Sequence, residues 1–421
     1  MPGANLSVAA KNTVGLYGLY AGYYLAGLLI TPYLARCLGP IPFGRFSAFQ
    51  ALAATMAVFI EFGFSFSATA ALQREHLSRS ADRIISEVLM AKLWLSLPVS
   101  LVLLLVVRYV PALDNGPAFA ALCLAAACCQ GFSPAWIYQG YGRLIQYSAL
   151  DMAIKALSVA AMFLWVHKAG DLTRAALFWT LGSFLSSTAG TLWIMRRVNW
   201  SRSLPPYTRI VSRLRDGLSL FCFRAATNLQ SVIGPVLLSV AAPEAPLGAY
   251  AGADKISKHL AGVLYPVIEA LYPIFRNSPR WTSGSVPRHL ALTLVLLTLA
   301  GAILSLGLFI TAPLLTSLLL GSKYPEAVVF VRVLSPLPVL AALGQSLGVH
   351  WMVPMGMGRL YSAITVAMLA LYAISTVALS HWYGALGMCW AQILTAVTAS
   401  SGMLVATLVQ FKRSRPLELG D

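Results

Sequence analysis

The sequence predicts an all-α polytopic membrane protein. About 12 transmembrane helices fall into two six-helix bundles, related by a pseudo-twofold axis along the membrane normal. Three observations carry this. The 421 residues are 58% hydrophobic and only 10% charged, against about 25% charged in ordinary soluble domains. Apolar runs recur from end to end, each followed by a short polar or basic break. The two halves also repeat one another at turns of equivalent order.

At roughly 20 residues per span, the runs lie at 13–36, 44–71, 87–110, 117–138, 146–167, 174–195, 217–241, 247–275, 289–312, 325–352, 360–380 and 385–410. Alternate breaks differ in charge. One set holds Lys11, Arg74, Arg79, Arg83, Arg143, the arginines from 196 to 215, Arg276, Arg280, Arg288, Arg359, Lys412, Arg413 and Arg415. The positive-inside rule places that set, and both termini, in the cytoplasm. Lys92 and Arg332 fall inside runs, each within about two turns of an end. The net charge of +16 is therefore read as topology rather than as a nucleic-acid surface. The N-terminus lacks the pattern of a cleaved signal.

The repeat is visible in three pairs of segments. Pro42-Phe43-Gly44-Arg45-Phe46 is answered by Pro246-Leu247-Gly248-Ala249-Tyr250. Gly140-Tyr141-Gly142-Arg143-Leu144 is answered by Gly356-Met357-Gly358-Arg359-Leu360. His167-Lys168-Ala169-Gly170 is answered by His381-Trp382-Tyr383-Gly384. Six spans per half keep both repeats in one orientation, with a substrate path between them. The divisions are residues 1–197 for the first bundle, 198–216 for a basic cytoplasmic linker, 217–411 for the second bundle and 412–421 for a cytoplasmic tail. The linker reads as an interfacial segment held by anionic lipid.

Charges inside apolar runs usually face a bundle interior or a wet cavity. The eighth run carries Asp254, Lys255, Lys258, His259 and Glu269. Asp254 and Lys258 share a face; they form either an internal ion pair or part of a cationic surface with Asp254 as charge balance. Glu61, inside the second run, is a coupling group or the partner of a cross-helix contact. Arg224 in the seventh run suits an anion through its planar fork, or snorkels to the surface. Asp151 and Lys155 read as a structural pair. Tyr17, Tyr20 and Tyr24 share a helical face, which packs or stacks on sugar rings. Glu61 and the eighth run occupy corresponding spans, which predicts that they face each other across the axis. The six cysteines read as packing residues. Metal clusters, a Walker A lysine and a large outer loop are not visible in the sequence, so no cofactor and no catalysis are expected.

Ala35-Arg36-Cys37-Leu38-Gly39-Pro40, then Phe43-Gly44 and Glu61-Phe62-Gly63-Phe64, resemble the N-terminal signature of Wzx-type O-antigen and exopolysaccharide repeat-unit flippases. Pro134-Ala135-Trp136-Ile137-Tyr138-Gln139-Gly140 resembles the end of their fourth span, and Gly248-Ala249-Tyr250 through Asp254-Lys255-Ile256, with Tyr272-Pro273, resembles their eighth. The resemblance implies the fold of the multidrug/oligosaccharidyl-lipid/polysaccharide exporter superfamily, with two six-helix bundles around a lumen. It implies alternating-access flipping of an undecaprenyl-pyrophosphate-linked oligosaccharide across the bacterial inner membrane, for O-antigen, capsule or exopolysaccharide. It also implies H+ or Na+ coupling, and a polysaccharide polymerase and chain-length regulator as partners. On this basis Arg224, Lys255 and Lys258 are assigned to the anion, Glu61 and Asp254 to coupling or charge balance, and Tyr20 and Tyr24 to the glycan. The rivals are a cation-coupled drug exporter of the same fold, which favours a lumen with few cations, and a membrane glycosyltransferase or polymerase, which needs a large outer loop.

Overall fold

The computed structural model describes residues 27, 29–74, 81–196, 205–242, 246–265, 267–268, 271 and 288–414. These are helical throughout, with no strand among the described residues. Seven helices or helix pairs are long and apolar enough to cross a membrane. The chain divides into two compact units, Met1–Pro243 and Glu244–Asp421.

The first unit contains α1 (Leu29–Leu38), α2 (Pro40–Glu61), α3 (Phe64–Arg74), α4 (Ala81–Tyr109), α5 (Pro117–Gly131), α6 (Ala135–Gly140), α7 (Leu144–Trp165), α8 (Leu172–Met195), α9 (Tyr207–Val232) and α10 (Gly234–Ala241). Helix α2 is central. It touches α4, α5, α8, α9 and α10, and Phe43, Phe46, Phe49 and Leu52 on it are fully enclosed. Its composition explains this: Gly44, Ser47, Ala48, Ala51, Ala53 and Ala57 let neighbouring backbones approach closely. Helix α7 is its opposite. Leu157, Leu164 and Trp165 stand exposed along it, as befits a helix whose solvent is hydrocarbon.

Three predicted spans of this unit are broken, among them the seventh, between α9 and α10 at Ile233. The second is split at Phe62 (φ 49°) and Gly63 (φ 72°), and the fourth between Gly131 and Ala135, at Ser133-Pro134. The pyrrolidine of Pro134 cannot continue the helical ladder. Residues 207–216 form the first turns of α9, continuous with the seventh span, and α9 packs on α2, α3 and α4. The first compact unit ends at Pro243.

The second unit contains α11 (Leu247–Gly262), α12 (Arg288–Leu319), α13 (Ala327–Leu334), α14 (Leu337–Gln345) and the range Gly358–Ser414, which is two helices meeting at Gly384 (φ 56°, ψ −134°). A π-helical segment, Ser346–Met352, follows α14. Helix α11 packs on α12, α13 and α14. It too gives way to a turn, at Val263 and Leu264. The eighth and tenth predicted spans are thus interrupted, as the second and fourth are.

The joint at Gly384 is tight. A Cβ on Gly387 would collide with the backbone of Leu379. Gly387→Ala is expected to lower the thermal unfolding midpoint in detergent, at a cost of about 1–3 kcal/mol. Gly307→Ala, where a Cβ meets open space, should leave the midpoint level or raise it.

At the turn before α8, Asp171 accepts from the His167 and Lys168 N–H groups at 3.1 and 3.2 Å and pairs with Arg174 at 2.9 Å. The His167 N–H is the largest cause holding this carboxyl below its usual range. A lowered folded-state pKa contributes stability above the ordinary value, about 3.9, which is lost as pH falls through the folded value. The drop in midpoint on acidification below about pH 4 should therefore be shallower in Asp171→Asn.

Candidate functional site

Two charged sites emerge, one in each unit. In the first, the chain breaks at Glu61 and immediately uses that residue to repair the break. Its carboxylate accepts from the Gly63 N–H at 3.1 Å and the Ser65 N–H at 2.6 Å. Those donors are orphaned at the start of α3, because a helix N-terminus leaves four N–H groups without intrahelical partners. The sequence suggests no partner within a turn; the backbone ahead supplies two. The cross-helix alternative also contributes. Lys92, fully buried on α4, donates its Nζ to the Gly131 carbonyl at 2.8 Å and lies over the Trp136 ring at 5.9 Å. Glu61 is close enough to attract that ammonium.

The arrangement is one of complementary ends. A carboxylate meets the positive end of α3, and an ammonium meets the negative end of α5, as the helix dipole requires. The sequence places Lys92 within about two turns of an end. Instead α4 begins as early as Ala81, which carries Lys92 inward to the level of the breaks.

Helix α9 closes over this site. A Cβ on Gly217 would sit 3.4 Å from the Phe62 carbonyl oxygen, and Phe221 stacks on Phe62 with ring centroids 4.4 Å apart. Arg224 lies one turn further along α9; its side chain is outside the described residues, as are Tyr20, Tyr24 and Glu269. Toward the start of α9, Arg213 and Arg209 pair with buried Glu87 of α4 at 2.8 and 3.6 Å. The sequence analysis did not single out Glu87: it reads as one more charge near the cytoplasmic end of a span.

In the second unit, Asp254 is buried and holds Lys258 at 2.8 Å, while its other oxygen accepts from the Gln392 amide at 3.0 Å. Fully buried Tyr250 and Tyr372 bring their hydroxyls beside the same carboxylate. Lys255 is half-buried, and its carbonyl is 2.6 Å from His259 Nδ1. The ion pair expected as one alternative for this span forms. Further along, His350 in the π-segment is fully buried, with Nε2 2.7 Å from the Ile268 carbonyl. Burying such groups costs several kcal/mol unless hydrogen bonds compensate; here hydrogen bonds serve the Asp254 carboxylate, the Lys258 ammonium and His350 Nε2.

Asp151 and Lys155 pair at 2.8 Å, and Ser186 of α8 donates to the other Asp151 oxygen. This matches the structural pair expected from the sequence.

Residues 9–278 match the family described as Polysaccharide biosynthesis protein. The chain belongs to that family. Proteins of Escherichia coli (strain K12) and Shigella dysenteriae, each named as a candidate O-antigen transporter, are 26% and 23% identical to it. The first alignment covers 85% of this chain and 86% of the relative, the second 94% and 99%. Among solved structures, the lipid II flippase MurJ in an inward closed conformation superposes with a TM-score of 0.72 at 12% identity, over 95% of this chain and 89% of that one. An inward-facing multidrug resistance MATE family transporter of the MOP superfamily superposes with a TM-score of 0.70 at 14% identity, over 93% and 94%. These likenesses fix the superfamily fold.

The cap at the helix break can be checked directly. Glu61→Ala leaves the Gly63 and Ser65 donors without their acceptor and should destabilise the protein by about 1–2 kcal/mol, the usual range for a lost helix cap. Glu61→Gln keeps an acceptor oxygen and should lose less. Equal midpoints for the two variants in detergent unfolding would remove the capping role.

Proposed function

We propose that this protein flips a lipid-linked oligosaccharide repeat unit, carried on undecaprenyl pyrophosphate, across the bacterial inner membrane for O-antigen, capsule or exopolysaccharide synthesis. Family membership over residues 9–278 supports the pathway, as do the names of the two relatives. The observation that carries the mechanism is the pair of charged, hydrogen-bonded sites inside otherwise apolar helical units. Polar groups at that depth are expensive and mark substrate or ion routes. A pyrophosphate and a glycan cannot cross hydrocarbon unaided. Cations at Lys255, Lys258 and Arg224 lower the barrier for the anion, while the polyprenyl tail stays in lipid.

In this reading the transporter works by alternating access and performs no catalysis of its own. Tyr20 and Tyr24 contact the glycan, both termini are cytoplasmic, and the two six-helix bundles are those of residues 1–197 and 217–411, with the basic linker between. Asp254 balances Lys258, and Glu61 responds to an H+ or Na+ gradient by loosening its cap on α3. A polymerase and a chain-length regulator receive the flipped unit. A drug-exporter role fits less well, because Lys255 and Lys258 put cations where a cationic drug would need carboxylates.

Lys258→Gln and Arg224→Ala are each expected to abolish surface glycan in a strain lacking its own copy of the protein, at normal membrane levels. Undiminished glycan in both would end the anion-contact assignment. In proteoliposomes loaded with a defined lipid-linked glycan, Glu61→Gln should transport at a rate indifferent to an imposed pH or sodium gradient. Persistent gradient dependence would reject its coupling role.

A further inference from the structure

The clasp between α4 and α9 has a task that neither fold nor transport assigns to it. Glu87 presents one carboxylate, its side chain 4% exposed, to two guanidiniums. Arg209 and Arg213 are four apart, so they share a face of α9. The neighbouring face is the packed one: Ile210 and Leu214 enter the core formed by Phe64, Ile84, Val88 and Trp136. The side chains of Arg209 and Arg213 remain 47% and 27% exposed, so the acid is enclosed while its partners reach outward.

The clasp is unbalanced in charge and in valence. Two cations face one anion, and two oxygens cannot satisfy two five-donor guanidinium forks. Tyr207 lies against Trp94 at 5.3 Å and Arg215 is exposed; among the described residues, Glu87 is the carboxylate that pairs with the two arginines. A diphosphate carries more negative charge than a carboxylate and offers more oxygens in the geometry that arginine forks favour.

We propose that Arg209 and Arg213 form a cytoplasmic receiving site for a lipid-borne diphosphate, which takes the arginines from Glu87 and so releases α9 from the broken second span. This rests on the transport reading above. Releasing the first turns of α9 withdraws Gly217 and Phe221 from Phe62, exposing the turn that Glu61 caps. Arrival of the anion and uncovering of the interior charge become one event, and the strap stays shut when no substrate is present. By linkage, the anion can open the strap only as far as it binds the open form more tightly.

The test places a single cysteine at Gly217, under the strap, on a background lacking the six native cysteines. The protein is held in phosphatidylcholine nanodiscs, and its labelling by a membrane-impermeant maleimide is timed. Farnesyl diphosphate should raise the labelling rate about tenfold, equivalent to about 1.4 kcal/mol in the opening equilibrium. Glu87→Gln should give a comparable rate with no ligand. Arg209→Lys with Arg213→Lys, which keep the charge and lose the forks, should abolish the response to diphosphate while leaving unliganded labelling slow.

A Glu87→Gln variant labelled at the parent rate, or a parent insensitive to farnesyl diphosphate, overturns the proposal. So does an equal rise on adding phosphatidylglycerol alone, which would make the arginines a phospholipid anchor. The readout does not involve transport. If labelling behaves as expected but proteoliposomes move no lipid-linked glycan, the transport reading fails and the diphosphate-operated strap stands.

Discussion

The structure depends on satisfying backbone groups wherever a helix stops inside an apolar surround. With no water to take the freed N–H and C=O groups, each unsatisfied one costs several kcal/mol. This protein stops helices repeatedly at such positions. Glu61 serves the start of α3, Lys92 serves the Gly131 carbonyl at the end of α5, and the His350 ring meets the Ile268 carbonyl. The charged residues within the membrane are thus part of what makes irregular backbone tolerable there. A group that both repairs a break and carries charge ties local helix geometry to the electrostatics of the interior.

The repeat preserves architecture more strictly than chemistry. The second and fourth predicted spans break, as do the eighth and tenth, yet the breaks are repaired differently. In the first unit, acid and base serve separate helix ends on different helices. In the second, Asp254 and Lys258 sit on one helix a turn apart, secured from outside by Gln392. Duplication explains the shared breaks. The divergent charges make the two units chemically unlike where their backbones break alike.

The spans were legible because apolar length is a bulk property of sequence, and the Asp254–Lys258 pair because i,i+4 spacing fixes a helical face. The joint at Gly384 followed from the turn expected at 381–384. Other features depend on information that local sequence lacks. The Glu61 cap needs Phe62 in the left-handed region, a conformation that a bulky residue adopts only when its surroundings enforce it; Gly63 beside it was the available hint. The partners Glu87 and Arg213 are 126 residues apart, so only the packed structure brings them together. Lys92 was misjudged because its depth depends on where α4 begins, and the polar first turns of α4 concealed that start.

One further consequence lies on the outer face of the first unit. Helix α7 turns apolar side chains to its surroundings along most of its length, yet Asp151 and Lys155 interrupt that face with side chains 23% and 39% exposed. They lie two to three turns from the start of the helix, roughly 10–17 Å along it. Bound to α8 through Ser186, the pair gives an otherwise apolar helix a polar fastening to its neighbour, so the two helices are held in register by direction as well as by packing.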